Sequence, residues 1–185
     1  MKFCSECGTP VIVTVPEDDS LPRHVCPACH TIHYQNPRLI TGTLPTYQGK
    51  IMLCKRGIEP RAGYWTLPGG FMENGETVAE GALRETWEES LTSPALGQLL
   101  SMVSIPQINQ VHCFYLARLP TPEFTLTPES VEIDFFSPSE IPWEDLAFRS
   151  VISTLKHYCE HQEALEAGQA VPLLDTQLGP LPTTL

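Results

Sequence analysis

Between Gly70 and Glu89 the chain reads Gly-Phe-Met-Glu-Asn-Gly-Glu-Thr-Val-Ala-Glu-Gly-Ala-Leu-Arg-Glu-Thr-Trp-Glu-Glu. Glu85, Glu88 and Glu89 stand at i, i+3 and i+4, so a helix carries all three on one face. Carboxylates crowded in this way repel one another and destabilise a bare helix. A divalent cation removes that penalty, and carboxylate oxygens are the ligands that Mg²⁺ and Mn²⁺ prefer. A solvated acidic face is the plainer alternative for such a charge run.

The helix has a visible start. Thr77-Val78-Ala79-Glu80 fits a capping box. At about 100° per residue, Ala79, Leu83, Thr86 and Trp87 are expected to project away from the glutamates and lie on a sheet. The acidic side would then face a cleft. Arg84 precedes Glu88 by four residues, so the two can pair and orient a carboxylate. Gly69 and Gly70 allow the preceding loop to approach closely, which would let a backbone carbonyl of Gly70 join a metal shell.

Cys4-x-x-Cys7 and Cys26-x-x-Cys29 are separated by eighteen residues. Two matched pairs at this spacing predict a structural zinc site with four thiolates at roughly 2.3 Å from the metal. About 35 residues bury too little apolar surface to fold alone, so zinc would supply much of the folding free energy. Two disulfides or a redox Cys-x-x-Cys are the alternatives. His24, His30 and His33 lie nearby, but four thiolates already complete the shell. Cys54, Cys113 and Cys159 read as small buried hydrophobes.

The chain has 185 residues, 22 acidic against 11 basic, and a net charge of −11. Such acidity disfavours nucleic-acid backbone as a partner, since that needs clustered Lys and Arg. Within the first 35 residues only Lys2 and Arg23 are basic, against Glu6, Glu17, Asp18 and Asp19, which argues against a nucleic-acid-binding ribbon. No run approaches the roughly 18 apolar residues of a membrane span. The opening Met1-Lys2-Phe3-Cys4 lacks the apolar core of a secretory signal. Seven cysteines is an odd count that suits a reducing compartment, so the cytoplasm is the expected location.

Strands are predicted at Val11 to Val15, Leu39 to Leu44, Ile51 to Cys54, Leu99 to Ile105, Val111 to Leu116 and Val131 to Phe136. A second helix is predicted at about Leu146 to Gln162 from the spacing of Phe148, Val151, Ile152, Leu155 and Cys159. Strands mixed with two helices indicate an α/β domain. The expected division is 1–35 for the cysteine module, 36–163 for the main domain and 164–185 for an extended tail carrying Pro172, Pro180 and Pro182.

Gly70, Glu76, Arg84, Glu85, Glu88 and Glu89 fall in register with the pattern G-x5-E-x7-R-E-U-x-E-E-x-G-U, where U is a bulky aliphatic residue. This segment of about 26 residues, led by Leu67-Pro68-Gly69-Gly70, resembles the Nudix box. Thr86 and Thr92 depart from the usual aliphatics, and Leu91 replaces the glycine that commonly ends the helix. The resemblance implies an α/β/α sandwich with a mixed sheet, preceded here by a zinc ribbon. It also implies a hydrolase that splits a nucleoside diphosphate linked to another moiety, with water attacking phosphorus. Glu85, Glu88 and Glu89 would hold Mg²⁺ or Mn²⁺, with Glu85 or Glu89 also the general base. Glu76 and Arg84 would orient that set. A further carboxylate often enters late in this fold, and Glu129 and Glu132 are the candidates, a solvated loop being the alternative for each. Arg56 and Arg61 would contact phosphates or be surface charge. Trp65 and Trp87 read as core residues rather than base-stacking ones.

The cysteine module followed by His33-Tyr34-Gln35-Asn36-Pro37-Arg38 resembles zinc-ribbon Nudix proteins, a group that includes NADH, FAD and ADP-ribose pyrophosphatases. The NADH enzymes carry a run near S-Q-P-W-P-F-P-x-S after the box. Here Ile105-Pro106-Gln107-Ile108-Asn109-Gln110 occupies that place, which favours ADP-ribose or FAD over NADH. The resemblance further implies a homodimer acting on a small dinucleotide-type substrate. A Nudix-shaped ligand-binding regulator without turnover is the rival class, but this chain retains the whole glutamate set. Decapping of mRNA and cleansing of oxidised nucleotides fit less well, because neither explains the ribbon.

Overall fold

A computed structural model describes residues 1–180; Pro182 of the proline-rich tail lies outside the described residues. The chain forms two compact units, Met1–Pro37 and Arg38–Leu185.

The first unit is a small antiparallel sheet of β1 (Ile12–Thr14), β2 (Arg23–Val25) and β3 (Ile32–His33). Each cysteine pair sits in the same kind of tight turn. Cys4 N donates to Thr9 O and Gly8 N to Cys4 O; Cys26 N donates to Thr31 O and His30 N to Cys26 O. Gly8 and His30 hold matching places, four residues after the first cysteine, and both are left-handed, with φ of 72° and 59°. Glycine takes that conformation freely, whereas histidine is strained in it.

The second unit is built on β4 (Arg38–Tyr47), β5 (Lys50–Arg56), β6 (Trp65–Thr66), β7 (Gly69–Phe71), β8 (Ala95–Ile105), β9 (Gln110–Arg118), β10 (Ser130–Phe136) and β11 (Leu174–Gln177). The order is β10-β5-β4-β9-β8-β11, with β6 paired to β5 and β7 to β4. The sheet is mixed: β4 runs parallel to β9 and β11 parallel to β8, while the other pairs are antiparallel. The helices are α1 (Val78–Ser90), α2 (Arg149–Glu160) and the short α3 (Gln162–Glu166).

Alternation along β4 separates two layers. Thr41 Oγ1 donates to Val78 O and Thr43 Oγ1 bonds Thr86 Oγ1, both at 2.7 Å, so one face receives α1. Leu44 points the other way, into a core with Ile51, Leu53, Leu67, Leu100, Phe114, Leu116, Val151, Leu155 and Tyr158. That core joins α2 to the sheet. Thr86 replaces an aliphatic residue because its partner on the sheet is itself a threonine. Leu91 ends α1 in the left-handed region at φ 53°, its N–H bonding Trp87 O at 2.7 Å. The helix end is therefore kept without glycine, at a cost of about 1–2 kcal/mol.

Two expectations are corrected. The buried stripe of α1 is Gly81, Ala82, Glu85, Thr86, Glu89 and Ser90, while Trp87 is 53% exposed. Of the residues expected on the sheet side, Thr86 is buried against β4, Ala79 and Leu83 are half-buried and Trp87 is exposed, because Glu85 and Glu89 turn inward. The true stripe has the same helical spacing but consists of small, hydroxyl and acidic residues. In addition, the stretch treated as a tail supplies β11 at the sheet edge, with Leu174 opposite Ser101 and Gln177 opposite Ser104. Trp65 is buried in the core, as are Cys54 and Cys113, and the half-buried Cys159 packs against it.

Candidate active site

The N-terminus of α1 is fixed by its capping box: Glu80 N donates to Thr77 Oγ1 and Thr77 N donates to Glu80 Oε2. Docked on the threonine face of β4, the helix turns Glu85 and Glu89 inward and leaves Glu88 exposed. On the adjacent strand β7, Gly70 lies against Glu85. A Cβ at position 70 would stand 2.6 Å from Glu85 Cδ, a clash, so only glycine admits the carboxylate there. Gly69 N donates to Glu89 Oε1 at 3.5 Å, a long bond.

Arg84 organises the acidic set. Its Nε and one terminal nitrogen grip Glu76 at 3.0 and 2.8 Å; the other terminal nitrogen donates to Glu85 at 2.7 Å and Glu88 at 3.0 Å. A fifth bond goes to Phe71 O at 3.0 Å, so every N–H of the guanidinium has a partner. The Arg84 bonds, with help from Glu73 N–H, hold the Glu76 carboxyl down at about 2. Burial pushes Glu89 up to about 8, against the opposing Gly69 N–H, with the charge of Glu85 adding to the rise. Burial also raises Glu85, although Arg84 opposes the shift. Glu85 and Glu89 are thus buried carboxylates, Glu85 paired with Arg84 and Glu89 bonded to the Gly69 N–H.

A cleft of about 960 Å³ opens over this acidic end. Glu85, Glu88 and Glu89 line it together with Gly70, Arg84, Arg56, Arg61 and Glu129. Arg56 is held by a 2.8 Å bond to Pro60 O and stacks over Phe148 at 5.1 Å. Arg61 stacks over Tyr64 at 4.8 Å. Glu76 is absent from the lining and touches the cleft through its bonds to Arg84 and to Glu73 N–H. Glu132 is also absent: it pairs with Lys55 Nζ at 2.7 Å on the exposed side of β10. Glu129 precedes β10, its carbonyl accepting from Gly57 N at 2.8 Å, whereas Glu132 lies within the strand opposite Lys55.

The glutamates are all oxygen donors, the chemistry that a hard divalent cation takes. They are not gathered as tightly as the other candidate metal groups. Among the described residues, two sets bring their ligand atoms within 4.8 Å: Cys4, Cys7, Cys26 and Cys29, and His157, Glu160 and His161. Arg84 holds Glu85 and Glu88, while Glu89 turns to Gly69. The cysteine sulfurs lie 3.4 to 3.6 Å apart for the pairs Cys7–Cys26, Cys7–Cys29 and Cys4–Cys29. That is far beyond a disulfide bond and close to the roughly 3.8 Å edge of a tetrahedron with 2.3 Å zinc–sulfur bonds. The Thr31 hydroxyl lowers the Cys29 thiol and the Thr9 hydroxyl lowers Cys7, both favouring the thiolate that zinc binds. The donor set fits zinc.

Residues 37–155 match the family described as NUDIX domain. The chain belongs to the Nudix hydrolase family. Residues 2–35 match the module described as Nudix N-terminal, the Nudix zinc ribbon. A NUDIX hydrolase crystal structure from Nitrosomonas europaea is 47% identical, with a TM-score of 0.88 over 96% of this chain and all of that one. An NAD-capped RNA hydrolase, NudC, of Chromobacterium violaceum is 37% identical over 48% of this chain and 31% of its own length. An ADP-ribose pyrophosphatase of Methanocaldococcus jannaschii is 30% identical over 59% of this chain and 67% of its own. This chain therefore spans about a third of the length of the NudC relative.

The Nudix cleft also draws on residues that no local pattern reveals. Phe71, Phe114 and Phe148 form an apolar part of its wall, with Ile105 and Ile108. His112 enters from β9, its Nδ1 accepting from Ser150 Oγ at 2.9 Å and its Nε2 donating to Gln110 Oε1 at 3.0 Å. Burial holds this imidazole down at about 4, so it is neutral at physiological pH. Leu178 to Pro180 close one side, where Arg149 donates to Gly179 O at 2.7 Å and Gln107 to Leu178 O at 3.1 Å. These residues come from distant segments, and only their convergence marks them.

Proposed function

We propose that this Nudix chain hydrolyses the pyrophosphate bond of a nucleoside diphosphate linked to another moiety, with ADP-ribose or FAD as substrate. The observation that carries the reading is the cleft of about 960 Å³, which presents Glu85, Glu88 and Glu89 on its α1 side and includes Phe71, Phe114 and Phe148 in its apolar lining. Such a division suits a ligand with a charged centre and flat rings.

In this reading Glu85, Glu88, Glu89 and the Gly70 carbonyl hold Mg²⁺ or Mn²⁺, and Glu129 joins them. Bound there, the cations would neutralise the phosphate oxygens and activate water. Arg84, anchored by Glu76, keeps the carboxylates in position. Arg56 and Arg61 offer guanidinium groups to the remaining phosphate charge. Either Glu85 or Glu89 takes the proton as water adds to phosphorus and the bridging P–O bond breaks. The products are a nucleoside monophosphate and the phosphorylated second moiety.

The segment Ile105 to Gln110 supports the ADP-ribose or FAD class. Ile105, Gln107, Ile108 and Gln110 line the cleft and differ from the run that NADH enzymes carry. The ADP-ribose pyrophosphatase relative points the same way. The NudC relative favours a second reading, an NAD-type substrate. The test is to incubate the protein with FAD, NADH, ADP-ribose and 8-oxo-dGTP in Mg²⁺ or Mn²⁺ and to weigh the products. Cleavage of ADP-ribose or FAD well ahead of the others is expected; preference for NADH would select the second reading, and turnover of none would leave a ligand-binding protein. A homodimer located in the cytoplasm is part of the proposal, and light scattering tests its stoichiometry.

A further inference from the structure

The C-terminal end of α2 carries His157, Glu160 and His161 at i, i+3 and i+4, outside the cleft lining. One ligand atom from each lies within 4.8 Å of the others. The two imidazole rings are 4.5 Å apart between centroids. His157 is buried, His161 half-buried and Glu160 exposed.

The hydrogen bonds around the rings make the cluster more than a coincidence of spacing. His157 Nε2 bonds Pro172 O at 2.9 Å, and His161 Nδ1 bonds His157 O at 3.0 Å. A carbonyl only accepts, so each of these nitrogens carries the proton. In the neutral imidazole this leaves the second nitrogen of each ring as the one that can ligate a metal. A hydrogen bond from the far nitrogen is what sets the tautomer of a metal-binding histidine. Among the described residues no ion pair occupies Glu160. The carbonyl ends of α2 also favour a cation at this end.

We propose that His157, Glu160 and His161 form a transition-metal site that takes Zn²⁺. Two imidazole nitrogens and one carboxylate suit Zn²⁺ and not Mg²⁺, which prefers an all-oxygen shell. Three protein ligands leave one position open for water or another small donor. The ion would lock the His157 ring in the orientation that bonds Pro172 O. Pro172 leads into β11, so the ion secures the sheet edge to α2.

The test uses the full protein with its ribbon zinc in place. Zn²⁺ is titrated in excess Mg²⁺, which keeps the Glu85–Glu89 face occupied. Metal content is measured after equilibrium dialysis, and histidine C–H signals are followed by NMR. One zinc beyond the ribbon ion is expected, with the His157 and His161 signals shifting together. Glu160→Gln and His161→Gln should weaken that second zinc at least about tenfold, the scale on which even outer-sphere partners tune such sites. Their ribbon zinc should stay. The proposal is overturned if wild type stops at one zinc, if the two histidine signals stay put, or if Glu160→Gln binds the second ion as wild type does.

Discussion

Residues 1–37 contain three strands of two or three residues, and Ile12 and Val13 of β1 are 51% and 65% exposed. From Arg38 onward, Leu44, Ile51, Leu53, Leu100 and Leu155 are wholly buried in one core. The first unit has almost no apolar interior beyond Cys4 and Cys26, whereas the second is held by apolar packing. A fold of the first kind depends on metal coordination, while one of the second kind tolerates charges on its inner face. Glu85 and Glu89 illustrate that tolerance: both are buried under α1, on the sheet face opposite the apolar core that holds β4 and β5 to α2.

The strongest challenge to this contrast is removal of zinc. Stripping the full chain with a chelator should abolish amide-exchange protection in residues 1–37 and leave it in the sheet from β4 to β9. Structural zinc contributes on the order of 10 kcal/mol in small modules. Persistent protection of β1 to β3 without metal would show that packing alone holds the ribbon.

Next in size is Glu89→Gln. Turnover should fall about 10²- to 10⁴-fold, the range for loss of a catalytic acid or base group. The melting temperature should hold or rise, since a buried carboxylate becomes neutral. Activity equal to wild type would remove Glu89 from the proposed chemistry.

His112 sharpens the comparison through pH. Its folded value lies near 4, below the ordinary 6.5, so the folded state binds fewer protons than the unfolded one. Its contribution to stability is complete above pH 6.5 and is lost as pH falls toward 4. Full loss is on the order of 3 kcal/mol. Urea denaturation at pH 7 and 4.5 should show this loss in wild type and a smaller one in His112→Gln. Equal losses in both would contradict it.

The smallest effect concerns the start of α1. Thr77→Ala removes the cap and should cost about 1 kcal/mol in denaturant stability. Ribbon zinc content should not change. A cost near zero would mean that packing on β4 sets the helix start without the cap.

Much of the site was legible because its signals are local. The cysteine spacing, the capping box at Thr77 and the Arg84–Glu88 spacing each lie within a few turns of chain, and the structure contains the corresponding knuckles, cap and ion pair. The strands at β4, β5, β8, β9 and β10 were visible as apolar runs. β7 was not, because Gly69 and Gly70 carry no side chain to report burial. β11 was hidden because a short polar strand at an edge is ordered by its neighbour β8.

By itself the sequence determined the helix, its cap, the clustering of three carboxylates and the four-thiolate set. Those follow from fixed rises and turns per residue, which need no partner. Tertiary structure decided which face of α1 is buried, since that depends on the threonine face of β4 rather than on the helix. It brought Glu129 to the cleft and left Glu132 paired with Lys55 on β5. It also assembled Phe71, His112, Phe148 and the segment Leu178 to Pro180 into one wall. Residues so far apart in the chain meet only when the sheet closes their separation, so no local pattern can announce them.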